Sequence, residues 1–576
     1  MKLFIPCLLI ALAAVACGGP GPADPDEIIK LLPPSNVTLR AATDESLTFQ
    51  WDVVEGATGY DWRLTKNGTE VKQGSEGKRN AFVSGLEPGT EYKFSVRAVS
   101  EEEQSPYSKE IVCKTTGTAP VPPDPSADTQ CVDAPLVVAF ASTPTLGTSG
   151  LIRVLDASGK EVDRIDLADM STVTVRSDGA MVPKVQITSA TVYNTFMDAI
   201  PCGGRWRIVH YTPLRIDNNR LLIYLHSGAL DFGKTYTLTM DAGVVAGDGG
   251  IAAGDYTFTT SGAPSTSSIT VAADGSGDFC TISRALSYAA DGARIKVEKG
   301  VYREMLYLRD KKDIALAGRS SSMVRIEYPN NESYCGGSGQ GSQTRPVVGS
   351  AVGTAGGRGV FLIENCDNLQ LLALTIENTF GEQKGQAETI YFNSGSNKHR
   401  LIIDGCRLIS WQDTFLTKGR VWVNHSEIAG HCDYIWGYPD VCLFEDCEIR
   451  SRAAGYIVQA RVPSGSKGFV FLNCTLTSES GVASGSVYLA RSSGDAGVQD
   501  NVTYVNCTMC PAIAPAGWYP SPAPTPSAAT ATAGWKEFGS VDASGAPVTA
   551  SRNSYGRILT AAEADPYLSR EKVMGE

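Results

Sequence analysis

The sequence predicts an all-β protein: a right-handed parallel β-helix preceded by two β-sandwich domains. Three observations predict it. From about residue 300 to 510, short apolar runs are joined by polar turns with no long helical pattern between them. Small residues close successive equivalents at Cys406, Ser426, Cys447, Cys474 and Cys507, at intervals of 20, 21, 27 and 33. A period in the twenties, stretched by insertions, marks a solenoid whose coils bury their faces only by stacking. Ahead of residue 262, strand-like runs alternate and are punctuated by Gly, Asn and Asp turns, as in sandwiches.

Taken in order, the 576 residues exceed what one hydrophobic core supports. The net charge of −12 excludes a nucleic-acid partner, because binding phosphate requires clustered Lys and Arg in excess. Lys2, the largely apolar run 3–15 and the small residues before Cys17 read as an export signal at 1–17, too short to span a bilayer. Cys17 followed by Gly18, Gly19 and Pro20 resembles a bacterial lipoprotein signal. That resemblance implies lipidation of Cys17 and an exported outer-membrane lipoprotein held to the membrane by the lipid, at the cell surface or in the periplasm. An ordinary secretory signal is the alternative. Residues 18–32 form a tether.

The segment 33–116 carries the runs at 37–39, 47–51, 60–64 and 92–97, with Trp51 as a core candidate. Leu86, Gly89 and Tyr92 have the layout of a tyrosine corner, in which a buried phenol needs a backbone partner. It resembles a fibronectin type III domain. A Pro-rich linker comes next at 117–130. In 131–262, Leu230, Gly233 and Tyr236 repeat the same offsets, which suggests an immunoglobulin-like sandwich. A Ser/Thr/Pro bridge at 261–268 then leads into the solenoid domain, 268–576, with a short amphipathic helix expected over 282–290. Cys366, Cys406, Cys447, Cys474 and Cys507 each follow Asn, Asp or Gly beside an apolar run, a placement that suits buried thiols rather than a disulfide framework. No Cys or His cluster has zinc-ligand spacing, so no metal is expected.

The chemistry concentrates at Trp411, Gln412, Asp413 and Thr414, and one repeat later at Asp433 to Gly437. Residues one coil apart in a parallel solenoid sit about 4.8 Å from each other. Asp413 and Asp433 then become neighbours, and two adjacent carboxylates separate their pKa values into an acid/base and a nucleophile. Amides of Gln386 and Gln412 are positioned to donate to an oxyanion. Arg491 can pair with Asp433 and keep it ionised. Either Asp alone reads better as a solvated turn residue; the shared spacing reverses that reading. Gln386 and Gln412 could instead be a stacked amide ladder, Arg491 an ordinary ion pair and His431 a turn residue rather than a base.

Gly385-Gln386-Ala387, Gln412-Asp413-Thr414, Asp433-Tyr434-Ile435-Trp436-Gly437 and the Leu489-to-Arg491 stretch resemble, in order, the signatures of pectin methylesterases. The opening at 274–279 and 300–304 and the ending at Gly517, Trp518, Trp535 and Phe538 resemble that family too. The resemblance implies hydrolysis of galacturonate methyl esters in pectin by a monomer with no cofactor. It assigns Asp433 as nucleophile, Asp413 as acid/base, Gln386 and Gln412 to the oxyanion, and Arg491 to Asp433. Tyr434 and Trp436 would form an aromatic substrate floor. The chain departs from the family at Leu416 and Ser493, where aromatics are usual. The competing readings are an esterase for another pectic ester, a non-catalytic polysaccharide-binding β-helix, and a calcium-dependent lyase, for which the expected carboxylate cluster is absent from the sequence.

Overall fold

The computed structural model describes residues 31–575 apart from 43–45, 78, 85, 88, 101–102, 117–128, 148, 168–172, 176–180, 184–196, 212, 247–248, 332–356 and 381–384. The expected signal with Cys17, nearly all of the tether and most of the Pro-rich linker lie outside the described residues. The chain divides into two compact units, Met1–Ala119 and Pro120–Glu576.

In the first unit, a three-stranded antiparallel sheet orders Thr38–Ala42, Ser46–Gln50 and Asn80–Ser84. A four-stranded sheet orders Thr69–Glu76, Gly59–Lys66, Glu91–Val99 and Ile111–Lys114. Period-two alternation turns Phe49, Trp51, Trp62 and Phe94 inward, and the Phe49 and Phe94 rings stack with centroids 3.7 Å apart. The corner forms: Glu87 N–H donates to Tyr92 Oη at 2.9 Å, and Thr115 Oγ1 donates to Glu87 O at 2.6 Å.

The second unit opens with another β region. It has a five-stranded sheet (Glu161–Asp166, Leu151–Asp156, Thr235–Met240, Ile251–Thr260, Thr129–Gln130) and a three-stranded one (Leu214–Asp217, Arg220–Ile223, Leu136–Ala139). The corner chemistry recurs: Asp231 N–H donates to Tyr236 Oη at 2.9 Å, and Thr260 Oγ1 donates to Asp231 O at 2.6 Å. This region shares its hydrophobic core with the solenoid, the one running continuously into the other. The fully buried Arg207 donates to the carbonyls of Leu306 at 2.6 Å and Val360 at 2.9 Å, satisfying backbone acceptors at the solenoid's first coils.

From Ser268–Val271 to Gly556–Ile558, 23 strands join one hydrogen-bonded sheet whose successive turns pair in parallel, a parallel β-helix. At its start, α1 (Ile282–Tyr288) buries Ile282, Ala285 and Leu286 in the same core. Thr281 caps α1, and the Glu304 carboxylate accepts from Ile282 N and Ser283 N at 2.8 Å each. Inside, Phe444, Phe471 and Tyr504 stack with centroids 4.7 and 4.4 Å apart. The small residues that set the repeat mark a corner. Asn365, Gly405, His425, Asp446, Asn473 and Asn506 all have positive φ, between 44° and 63°. Each is followed by a buried Cys366, Cys406, Ser426, Cys447, Cys474 or Cys507. The left-handed residue makes the bend, which Gly, Asn and Asp tolerate best, and the crowded inside of the bend admits only a small side chain. All five of those cysteines are free thiols.

Candidate active site

Six strands build the site, one on each of six successive coils: β1 (Phe361–Glu364), β2 (Ile390–Asn393), β3 (Phe415–Asn424), β4 (Glu427–Glu445), β5 (Glu448–Ala460) and β6 (Val487–Ala490). Their register stacks Phe361, Ile390, Phe415, Ile435, Val458 and Ala490 in one buried column. The neighbouring column holds Leu362, Tyr391, Leu416, Trp436 and Gln459. Just ahead of these strands, Gln386, Gln412 and Cys432 bridge in parallel. Asp413 and Asp433, each one residue further on, therefore come onto adjacent coils, and Asp413 N–H donates to Cys432 O at 3.1 Å.

Both aspartates have left-handed backbones, with φ 64° at Asp413 and 48° at Asp433, and both are nearly buried, at 3% and 4% exposed. Buried carboxylates require compensation, and each has a guanidinium. Asp433 Oδ1 accepts from Arg491 Nε at 2.8 Å. Its Oδ2 accepts from the other arm of Arg491 and from Gln459 Nε2 at 2.9 Å. This contact with Asp433 raises the Arg491 pKa further above its usual value, so the guanidinium stays charged. Asp413 Oδ2 accepts from Arg358 at 2.9 Å. Arg358 is itself buried, is held by Glu388 at 2.9 Å to both oxygens, and donates to Gln386 Oε1. Cys432, between the aspartates, is no nucleophile: burial, then Asp433, pushes its thiol up to about 12.

The structure thus brings together Gln386, Gln412, Asp413, Asp433 and Arg491. Trp436 lies beside them, 5% exposed, with Arg461 5.1 Å from its ring, and its indole N–H has no partner among the described residues. Tyr434, expected on the substrate floor, is a correction. It is fully buried and its hydroxyl meets Ser451 Oγ at 3.1 Å inside the coil. The left-handed turn at Asp433 shifts the in-out alternation, so the next side chain points inward. Leu416 is buried as well, and His431 lies edge-on to Trp411. Tyr456, Tyr488 and Tyr519 form an aromatic cluster next to Arg491, whose guanidinium lies 4.7 Å from the Tyr456 ring. The sequence motifs do not include Arg358, Glu388 and Gln459. Arg358 sits three residues ahead of Phe361, the position that Gln412 holds ahead of Phe415 and Cys432 ahead of Ile435, and following the glutamine column back from Gln412 through Gln386 would have found it.

Fold and site together define a solenoid that sets two carboxylates on adjacent coils with two glutamines in the neighbouring column, an arrangement suited to acyl transfer. Residues 268–575 match the Pectinesterase family, and 32–114 match the Fibronectin type III domain. Pectinesterase 31 of Arabidopsis thaliana is 31% identical over 259 residues, 44% of this chain and 76% of its own length. A pectinesterase of Daucus carota is 29% identical over 276 residues, covering 44% of this chain and 77% of that one. Among solved structures, a pectin methylesterase from Aspergillus niger is 25% identical, covers 55% of this chain and 95% of its own, and has a TM-score of 0.43. The chain belongs to the pectinesterase family, and it is a carboxylic ester hydrolase.

Proposed function

We propose that the protein hydrolyses methyl esters of galacturonate units in pectin, homogalacturonan above all, with Asp433 as nucleophile and Asp413 as acid/base. The observation that carries this reading is the pair of buried, left-handed aspartates on adjacent coils, each on its own guanidinium. Asp433 Oδ1, which accepts from Arg491 Nε alone among the described residues, attacks the ester carbonyl carbon. The Gln386 and Gln412 amides donate to the oxyanion that forms. Collapse of the tetrahedral intermediate breaks the bond to the methoxy oxygen, Asp413 gives that oxygen its proton, and methanol leaves an acyl-enzyme on Asp433. Asp413 then takes a proton from water as the water attacks the acyl carbon, which frees the galacturonate carboxylate and restores both aspartates.

Trp436 gives the site an aromatic ring, while Lys418, near the Tyr391 and Tyr438 rings, and Arg461 give the cleft cations that suit a polymer bearing free carboxylates. A second reading retains the ester chemistry and changes the pectic ester or polymer region. The buried Leu416 and the tyrosine cluster beside Arg491 favour it, since the aromatic surface differs from the family pattern. The chain is read as exported by the signal at 1–17 and anchored by lipid on Cys17 as an outer-membrane lipoprotein. The enzyme acts as a monomer.

Methanol release from highly methylated pectin tests the assignment. Asp433→Asn keeps the left-handed corner and is expected to lower kcat by about 10³-fold or more. Undiminished release by the variant would sink the nucleophile. Release by neither protein on several esterified pectins would favour a polysaccharide-binding role, and calcium-dependent unsaturated products would indicate a lyase. Cys17→Ser is expected to move the protein from the membrane to the soluble fraction; no change would refute the anchor.

A further inference from the structure

Cys131 and Cys280 meet where the second β region packs on the entrance of the β-helix. Both side chains are buried, and their Sγ atoms and a carboxylate oxygen of Asp133 all lie within 4.8 Å of one another. Contacts that do not involve sulfur clamp the two segments together. Asp133 Oδ1 accepts from Cys280 N at 3.0 Å, and its Oδ2 accepts from Thr281 N at 2.8 Å and Thr281 Oγ1 at 2.6 Å. Cys131 Sγ in turn lies 3.3 Å from Gly277 O.

Two chemistries suit such a cluster, a metal ion and a disulfide. A structural zinc takes four ligands, and this cluster offers three, one of them a carboxylate already accepting three hydrogen bonds. A metal also needs thiolates. The Cys131 thiol beside it, and then burial, push the Cys280 thiol far above its usual value. Thiols that resist ionisation are poor metal ligands, whereas a disulfide between them is hard to reduce.

We propose that Cys131 and Cys280 form a disulfide that joins the start of the second β region to the entrance of the β-helix. The oxidant is the disulfide of a thiol–disulfide oxidoreductase, a class that an exported chain meets. One cysteine thiolate attacks the donor disulfide and forms a mixed disulfide, releasing one donor thiol. The second cysteine gives up its proton and displaces the other donor sulfur. One Sγ–Sγ bond forms, the donor's S–S bond is reduced by two electrons, and both protons end on donor thiols. The exchange takes place before the seam closes, because both thiols are buried afterwards.

The test uses the secreted full chain, alkylated while denatured and digested with trypsin without reductant. Residues 115–153 and 235–284 each form one tryptic peptide with a single cysteine. The expected result is a joined pair, two hydrogens lighter than the sum and separated by reduction. Reductant is also expected to lower the Tm of the wild type by about 5 °C and to leave Cys131→Ser/Cys280→Ser unaffected. Refolding of the denatured, reduced chain in glutathione disulfide, with both thiols open to exchange, tests the geometry independently of export. Alkylation of both cysteines even after that treatment overturns the proposal, as does one zinc per chain that Cys280→Ser loses.

Discussion

Two sets of corners in the β-helix use the same backbone conformation for opposite ends. At Asn365, Gly405, His425, Asp446, Asn473 and Asn506 a left-handed residue bends the coil, and a small buried side chain comes after it. Four of these six residues face solvent outright, and the other two are half-exposed. At Asp413 and Asp433 the left-handed residue is instead buried, and its carboxylate meets Arg358 or Arg491. The backbone geometry therefore does not distinguish a structural corner from a chemical one. The distinguishing feature is a buried carboxyl group set against a guanidinium, which is costly to desolvate and, once paired, held in one orientation.

The comparison sharpens first at a buried carboxylate that has no guanidinium. Among the described residues Glu304 accepts only the N–H groups of α1, and burial pushes it from 4.5 to about 8. A carboxyl with a raised folded pKa holds a proton that the unfolded chain has lost, so its stabilisation is complete below pH 4.5 and is lost as the pH rises through about 8. Urea melts are expected to show stability falling by a few kcal/mol across that window, with the slope flattened in Glu304→Gln. An equal slope in both proteins would show that burial alone does not set this carboxyl.

Next in size is the Arg358 brace. Arg358→Lys keeps the charge and loses the fork that reaches Asp413, Gln386 and Glu388 together. Methanol release is expected to fall about 30-fold in kcat with KM and Tm little changed. Full activity would make Arg358 an ordinary buried ion pair. The smallest effect belongs to the structural corners. Asn473→Val forces a β-branched residue into the left-handed region and is expected to cost ~1–2 kcal/mol in denaturant melts, while Asn473→Gly stays near wild type and both retain full activity per folded molecule. Lost activity in folded Asn473→Val would break the division between the two kinds of corner.

Much of the fold and of the site is legible in the amino-acid sequence. The repeat marked by Cys406 and its equivalents, and the twenty-residue spacing of Asp413 and Asp433, depend on local rules that hold coil after coil. The side chains that are not legible depend on what those rules do not carry. Arg358 is separated from Gln386 by a longer coil than the one joining the aspartates, so no short motif includes it. Tyr434 reads as an exposed aromatic until the positive φ of Asp433 shifts the alternation. The contacts of Asp133 with Cys280 and Thr281 join residues nearly 150 positions apart, beyond the reach of any periodicity.

One residue-level property of the solenoid bears on how such a protein tolerates change. Arg358, Gln386, Asp413, Asp433, Gln459 and Arg491 each come from a different coil, so the site is assembled along the stack rather than within one loop. Insertions that bulge from the longer coils leave the stacking register, and hence the chemistry, where it was. The coil from Asp413 to Asp433 is the exception. It has no slack, and an insertion between the β3 and β4 segments that stack there would slide one aspartate off its neighbour. Indels are therefore admissible in the bulges of the longer coils and not in the twenty residues that separate the two acids.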